Sequence, residues 1–267
     1  MPWWGLIVLL AFLLVVYLIY TSATYQDAYR FLVAGVKVTI LVTLISFSIA
    51  IVLGLIAGLG RVSKNVIFYT GASVYVEVVR GIPLLVQIIY FAYVVAPLLV
   101  QIVNSLGAFM LQYTAIQPLM GLAHTLTNLH IQDVDVTARA IAGLAFGYGA
   151  YEAEVFRAGI QSIERGQMEA ARSLGMSYFQ AMRYIILPQA IRRVLPPLGN
   201  DFIAMLKDSS LISVLAVREL THLGKLNRAR TFRTFETWNT VTFLYLIMTI
   251  SLSLVVKFIE RRMAFEE

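Results

Sequence analysis

Two adjacent charges, Lys207 and Asp208, lie in the middle of the apolar run 194–217. Neighbouring residues on an α-helix point about 100° apart, so this lysine and this aspartate cannot simply pair with each other. Each needs a partner on another helix or another chain, because an unpaired charge among apolar residues is costly. We predict that they line a polar path, in which the lysine can bind an anionic group and the aspartate a cationic group.

Two further pairs of charges interrupt apolar segments at a spacing of three residues. Glu77 and Arg80 share one face of a helix and, by helical rise, lie near the middle of the run 66–103. Glu154 and Arg157 form the second pair, nearer the end of their own run. Two interpretations stay open. Either each acid neutralises its neighbouring base and pins the helices, or Glu77, Arg80 and Glu154 line the polar path.

Patterns that would indicate an enzyme do not occur in the sequence. The chain has no cysteine, which excludes disulfides and thiolate chemistry. His124, His130 and His222 lack the spacing of metal ligands, and neither H-E-x-x-H nor G-x-S-x-G is present. Gly224-Lys225 lacks the rest of a phosphate-binding loop. We predict no catalytic residue, no metal site and no bound cofactor, so any energy from ATP must come from a partner.

The composition is that of an integral membrane protein. Of 267 residues, 59% are hydrophobic and 13% are charged, and the mean hydropathy is +0.78. A soluble domain has roughly a quarter of its residues charged. The formal net charge is +6, and in a membrane protein basic residues mark cytoplasmic loops more often than a nucleic-acid surface.

Six apolar runs are long enough to cross the hydrocarbon core as helices, which takes roughly 20 residues each. They are residues 3–20, 31–60, 66–103, 136–160, 194–217 and 238–259. The first run lacks a basic start and is longer than the apolar part of a typical signal peptide, so we predict a retained helix. A seventh candidate, 106–126, is broken by glycine, proline and glutamine, and we predict an amphipathic or partly re-entrant insertion.

Basic residues set the predicted orientation. They cluster at 61–64, 157–193 and 257–262, whereas the long connection 98–136 has no lysine or arginine. By the positive-inside rule, the segment 157–193 and both termini are cytoplasmic. The basic loop 218–233 then lies outside, against the rule. Either the last two predicted spans are wrong or this loop has a functional reason for its charge. We keep the spans and interpret the charge as functional, either to contact an external protein or to steer an anionic substrate.

One polar segment, EAARSLGMSYFQAMRYIILP at 169–188, has signals for two short helices joined by a corner. Gly175 stands where a helix ends in the left-handed conformation, after a predicted helix 167–174. Ser177 and Gln180 have the spacing of a capping box that starts the second helix. We expect Pro188 to end that helix. A rigid corner of this kind suits docking to a soluble partner.

The same residues carry a resemblance to a known family. Glu169-Ala170-Ala171, then three residues, Gly175, nine residues, Ile185, one residue and Leu187-Pro188 resemble the complete EAA motif of bacterial ATP-binding-cassette (ABC) importer permeases. The stretches VRGIPLLVQ at 79–87, RAGIQSI at 157–163, LPPLGN at 195–200 and LKDSSL at 206–211 are similar to the polar amino acid uptake permeases. The resemblance covers about 31–259, whereas the first helix and the length of 98–136 depart from it.

The resemblance implies an all-α, type I importer fold with about six transmembrane helices. It divides the chain into an extra N-terminal helix with an outside loop, 1–30, and a transmembrane domain, 31–267, with a cytoplasmic coupling segment at 161–190. It further implies that a separate ATPase subunit docks on a small set of residues: Gln167, Glu169, Ala170, Ala171, Leu174 and Gly175.

The function implied is that of a permease subunit in an importer of polar amino acids, working by alternating access in the bacterial inner membrane. Its partners would be two ATPase subunits carrying ATP and Mg, a second permease subunit and an external solute-binding protein. A self-contained channel or secondary transporter is the alternative from another class. It would need its own coupling-ion site and no EAA-like corner.

Overall fold

The computed structural model describes residues 3–113 and 117–263, and its regular elements in those ranges are all helical. The helices are α1 (Trp3–Thr21), α2 (Ala23–Arg61), α3 (Val66–Arg80), α4 (Leu84–Tyr90), α5 (Ala96–Tyr113), α6 (Gln117–Thr127), α7 (Val136–Gln161), α8 (Arg165–Ser173), α9 (Tyr178–Ala181), α10 (Leu187–Asp208), α11 (Leu220–Thr231) and α12 (Thr234–Met263). The predicted all-α class is confirmed.

Three helical stretches of the described chain are long and apolar enough to cross a membrane: Ala23–Arg61, Leu84–Tyr113 and Thr234–Arg262. The first and the last contain the predicted crossings 31–60 and 238–259, whereas Leu84–Tyr113 overlaps only the second half of the predicted run 66–103. The three stretches agree with a multi-pass membrane protein. The other predicted crossings correspond to α1, α7 and α10, which are shorter or more polar, so the count of six stays a prediction.

Two boundaries predicted from the sequence are wrong. The residues up to 30 do not form an outside loop, because α2 begins at Ala23 directly after the extended residue Ser22 and contains residue 30. The run 66–103 is not one span either, because the helix breaks between Arg80 and Leu84. Pro83 supplies the physical reason: it has no N–H and caps the start of α4, from which the chain continues through a π-helical turn into α5.

The centre of the fold is the long contact between α2 and α7. Glycine lets the two backbones approach, since a methyl group at Gly54 would lie 2.4 Å from the Cβ of Glu152. Asp135 caps the start of α7, and its carboxylate accepts a 2.7 Å hydrogen bond from the Thr137 N–H. The hydrogen bonds from Thr137 hold the pKa of the Asp135 carboxyl below its usual range. Around this pair pack α3, α4, α10, α11 and α12.

The insertion 98–136 is mostly helical in its described residues, with irregular backbone at 128–130 and 134–135. α5 packs against α6 so closely that a methyl group at Gly107 would lie 2.6 Å from the Thr127 nitrogen. Asn104 Nδ2 donates a 3.0 Å hydrogen bond to the Leu129 carbonyl and ties the insertion back to its start. Residues 114–116 lie outside the described ranges, and the membrane placement of 106–126 stays a prediction.

Candidate functional site

The EAA segment (residues 161–190) contains the corner that the sequence predicts. Gly175 has φ +84°, the left-handed conformation that a residue with a side chain adopts at a cost. Its N–H donates to the Arg172 carbonyl at 3.0 Å, and the Met176 N–H donates to the Ala171 carbonyl at 3.1 Å. This pair of bonds is a Schellman motif, so it ends α8 with its last carbonyls satisfied.

The predicted capping box is also present. The Ser177 N–H donates to Gln180 Oε1 at 2.8 Å, and the Gln180 N–H donates to Ser177 Oγ at 3.2 Å. The expectation that Pro188 ends this helix is wrong. The chain runs helically from α9 through a π-helical turn, Met182–Ile186, into α10, and Pro188 occupies the first turn of α10. A proline is tolerated there because its missing N–H would be unpaired in any case.

Most residues predicted to dock the ATPase lie on the surface of the segment. The exposed members are Gln167, Glu169, Ala170, Leu174 and Gly175. Leu174 is 81% exposed, which is unusual for a leucine beside the polar helix α8. The prediction that Ala171 belongs to the docking surface is wrong. Ala171 is 4% exposed and packs into the chain, where it supports the corner and presents no surface to a partner.

Phe179, in the second helix of the corner, is an apolar residue on the surface. It is 71% exposed, whereas Ile186 is 5% exposed and packs with Ile163 and Ala190. The π-helical turn between Phe179 and Ile186 adds a residue to one turn and rotates the two side chains onto different faces. The exposed surface of the corner therefore combines Leu174 and Phe179, five residues apart in sequence across the glycine turn.

The charged residues assigned to the polar path make different contacts from those predicted. Glu77 pairs with Arg61 and not with Arg80: its Oε1 lies 3.0 Å from Arg61 Nη2, and its side chain is 67% exposed. The break before α4 explains this, because it leaves Glu77 near the end of a short helix beside the last residue of α2. Arg80 instead lies over the ring of Tyr151, at 5.6 Å from the ring centroid.

Glu154 has two basic partners. It forms the predicted ion pair with Arg157, and its Oε2 also lies 3.2 Å from Arg61 Nη1. Arg61, at the end of α2, thus joins α3 through Glu77 and α7 through Glu154. The predicted ion pair between Glu154 and Arg157 is present, whereas at Glu77 a contact with Arg61 replaces the predicted pair with Arg80. Whether Glu154 also lines the substrate path stays a prediction.

A cavity of about 490 Å³ opens between α3, α7 and α10 and carries charges of both signs. Arg80 and Glu154, both predicted, contribute to its wall together with Arg193 and Asp201, which the sequence analysis did not single out. Arg193, Pro197 and Asp201 follow one another at intervals of four residues, which places them on one face of α10. This four-residue spacing in the sequence could have identified Arg193 and Asp201 as candidate site residues.

Asp208 and Lys207 do not line this cavity. Tyr148 donates its hydroxyl to Asp208 Oδ2 at 2.7 Å, so the partner of this acid is a tyrosine on α7. Lys207 points elsewhere and is exposed in the single chain. Glu152 was also missed: it is fully buried on α7, and its two carboxylate oxygens find no hydrogen-bond partner among the described residues.

The described residues contain no group of three His, Cys, Asp or Glu side chains placed to hold a metal ion. What they do contain is a set of apolar helices, a cleft of mixed charge between three of them, and an exposed polar corner joined to one wall of the cleft. This arrangement defines a helical membrane transport component.

The family comparison makes this class specific. Residues 50–265 match the family described as "Binding-protein-dependent transport system inner membrane component", and the chain belongs to that family. It is thus an inner-membrane transport subunit of an ABC system, in which ATP hydrolysis belongs to a separate component and a second permease completes the membrane part. The resemblance drawn from the EAA motif is confirmed.

Two relatives and two solved structures extend this result. The chain is 34% identical over 234 residues to the glutamine transport system permease protein GlnP of Escherichia coli (strain K12), covering 87% of this chain and 92% of the relative. It is 35% identical over 203 residues to the probable glutamine ABC transporter permease protein GlnP of Bacillus subtilis (strain 168), covering 76% and 78%.

Among solved structures, a chain of an amino acid ABC transporter crystallised with histidines superposes with a TM-score of 0.68 at 33% identity, covering 89% of this chain and 95% of that one. An inward-facing MetNI methionine ABC transporter superposes with a TM-score of 0.61 at 20% identity, covering 88% and 97%, and supports the fold alone.

Proposed function

We propose that this chain is the permease subunit of an importer of polar amino acids, driven by an ATPase that docks on the EAA segment. Relatives that are 34% and 35% identical are named for glutamine transport, so glutamine is the first substrate to test. The bound nucleotide and its Mg belong to the ATPase partner. Two copies of the ATPase and a second permease complete the complex.

The docking surface is the exposed corner around Gly175. Leu174 and Phe179 present apolar surface on the two sides of Gly175, next to the polar helix α8. Exposed apolar side chains rimmed by polar residues mark protein contacts. The Schellman motif and the capping box fix the corner, so a partner that grips it moves the whole segment and does not merely bend a loop.

The observation that carries the mechanism is the helical connection from this corner to the cavity wall. The chain is helical without a break from Tyr178 to Asp208, a length of about 46 Å by helical rise. Arg193 and Asp201 lie on that connection and face the cavity. A displacement of the corner by ATP-driven closure of the ATPase therefore shifts one wall of the cavity relative to α7, which is the requirement of alternating access.

The cavity suits a ligand that carries both charges. Arg80 and Arg193 can bind a carboxylate, and Glu154 and Asp201 can bind an ammonium group. Lys207 and Asp208 lie six and seven residues further along α10 than Asp201. Because Lys207 is exposed in the single chain, we place it against the second permease subunit on the substrate path.

The remaining parts follow from this orientation. Both termini and the EAA segment are cytoplasmic, and a solute-binding protein delivers the amino acid from outside. The helix of residues 3–21 is an addition to the transmembrane domain, and the coupling segment lies at 161–190.

Uptake by the assembled complex tests the proposal. The permease, its ATPase and its binding protein are reconstituted in liposomes with ATP, and uptake of labelled glutamine and other polar amino acids is measured. We expect uptake that requires ATP and is lost in Asp201→Asn, with Asn200→Ala, an exposed neighbour on α10, as the control. Transport by this chain alone, without ATPase or ATP, would refute the proposal and establish a self-contained transporter.

A further inference from the structure

A basic cleft lies between the start of α2 and the end of α11. Its wall contains Arg30, Arg230 and Arg233 with one acid, Asp27, and it encloses about 660 Å³. Three arginines and one aspartate leave an excess of two positive charges. Arg233 is the member that contacts the acid, with 3.8 Å between its Nη1 and Asp27 Oδ2.

Arg230 is held in place by contacts that do not neutralise it. Its guanidinium lies over the ring of Phe31, at 4.6 Å from the ring centroid. Its Nη2 donates a 3.2 Å hydrogen bond to Asn227 Oδ1, and Asn227 is itself buried and donates to Thr237 Oγ1 at 2.7 Å. A planar guanidinium fixed in this way is prepared for an anion with several oxygens.

An apolar groove adjoins the cleft and shares Arg30 with it. This groove encloses about 500 Å³ between α1, α2 and α12, and its apolar lining includes Val16, Ile19, Phe243 and Ile247. α1 is fixed beside it by the ring contact of Phe12 with Phe243, at 4.8 Å between centroids. The helix that departs from the family resemblance therefore creates one wall of the groove.

The position of Arg30 fixes the depth of this junction in the membrane. Arg30 immediately precedes the apolar run 31–60, so it lies at the boundary between the hydrocarbon core and the headgroup layer. Tyr20, which also lines the groove, is 78% exposed at the end of α1, as expected for an aromatic residue at that level. At that depth the cleft would face lipid headgroups and the groove would face acyl chains.

We propose that the cleft and the groove together bind one anionic phospholipid, with its phosphate between Arg30 and Arg230 and an acyl chain along α1. Charge complementarity selects an anionic headgroup, and the shared residue Arg30 joins the polar and apolar parts of one ligand. An acidic surface of an external protein would match the arginines but would leave the apolar groove unexplained. The proposal concerns lipid binding and stands apart from the transport proposal above.

Lipid retention by the purified full-length chain tests this proposal without any transport assay. Native mass spectrometry in mild detergent measures the binding of dioleoylphosphatidylglycerol and of dioleoylphosphatidylcholine, and thermal unfolding measures the stabilisation by each. We expect phosphatidylglycerol to bind preferentially and Arg30→Gln with Arg230→Gln to weaken it roughly 30-fold. The pair Arg218→Gln with Arg228→Gln removes the same charge from exposed positions outside the cleft, and we expect it to have little effect.

Two further sets of variants test the acyl-chain groove and the role of the arginine charges. Ile19→Trp fills the groove and should weaken phosphatidylglycerol binding without a change in the arginines. Arg30→Lys with Arg230→Lys keeps the charge and should retain part of the binding. Equal binding of the two lipids, or an equal loss in the control pair, would overturn the proposal. So would equal stabilisation by free glycerol phosphate, or capture of an acidic binding protein through Arg30 and Arg230 with unchanged lipid binding.

Discussion

The hydroxyl of Tyr148 lies 2.7 Å from Oδ2 of Asp208 and joins the middle of α7 to the last residue of α10. Tyr148 is 6% exposed and belongs to the same buried cluster as Met205 and Ile212. A buried hydroxyl without a partner is costly, so this bond fixes Asp208 while it satisfies Tyr148. The contact gives one predicted path residue a structural role in addition to any role in transport.

Removal of this hydroxyl should separate the two roles. Tyr148→Phe leaves Asp208 without its partner, and we expect a loss of about 1–3 kcal/mol in the free energy of unfolding. Asp208→Asn keeps an acceptor oxygen but removes the charge, so we expect nearly normal stability and reduced uptake. Thermal unfolding in detergent and uptake in liposomes measure the two effects. Tyr93→Phe, at an exposed tyrosine, is the control. Normal uptake by Asp208→Asn would show that transport does not require the charge of Asp208.

The network around Arg61 predicts an order of stabilities. Arg61→Gln breaks contacts to both α3 and α7, and we expect a loss of about 2 kcal/mol in the free energy of unfolding. Glu77→Gln should cost about 1 kcal/mol or less, because the Glu77 side chain is largely exposed. The ranking is measured by chemical or thermal unfolding of the purified variants. A loss in Glu77→Gln as large as that in Arg61→Gln would contradict the network described here.

The contact between α2 and α7 should not tolerate a side chain at its narrowest point. In Gly54→Ala the new methyl group would lie 2.4 Å from Glu152 Cβ, and we expect overpacking to cost about 1–3 kcal/mol. Gly71→Ala is the matched control, since nothing lies within 4 Å of a methyl group there and alanine favours helix. Melting temperatures in detergent compare the two. Equal melting temperatures of Gly54→Ala and Gly71→Ala would show that the contact between α2 and α7 accepts a methyl group without loss of stability, and would contradict this prediction.

A side chain at Gly175 should disrupt the corner through backbone strain and not through a steric clash. A methyl group there meets nothing within 4 Å, but φ +84° is strained for a β-branched residue. We expect Gly175→Val to abolish ATP-coupled uptake while the protein stays in the membrane, and Gly175→Asn, which accepts the left-handed conformation, to retain it. Membrane fractionation and uptake measure the two effects. Full uptake by Gly175→Val would refute the requirement for a rigid corner.

The parts of the site that sequence alone predicts are local ones. Gly175, Ser177 and Gln180 lie within six residues of one another, and their hydrogen bonds depend on backbone geometry that spacing specifies. The exchange of partners at Glu77 was not predictable in this way, because Arg61 lies 16 residues earlier and reaches Glu77 through the turn between α2 and α3. The sequence pointed to the near neighbour Arg80 as the partner of Glu77, but tertiary packing brings Arg61 into contact with it instead.

The cavity was missed for a related reason. Arg80, Glu154 and Asp201 come from three helices, and their meeting depends on how α3, α7 and α10 pack. The break at Pro83 decided the position of Arg80, yet a proline inside a long apolar run was interpreted as part of one span. The exposure of Phe179 depends on the π-helical turn that follows it, and no residue pattern in the sequence indicates that turn.

The most direct test of the account is photo-crosslinking from the EAA segment, which the absence of cysteine in the sequence makes simple. Leu174→Cys provides a single thiol for a benzophenone maleimide, and Phe235→Cys, 80% exposed at the start of α12, provides the control. The labelled chain is irradiated in the assembled complex, and crosslinked proteins are identified by mass spectrometry. We predict that the ATPase is crosslinked from position 174 and not from position 235. Uptake-competent complexes in which position 174 crosslinks to no ATPase would contradict docking on this segment.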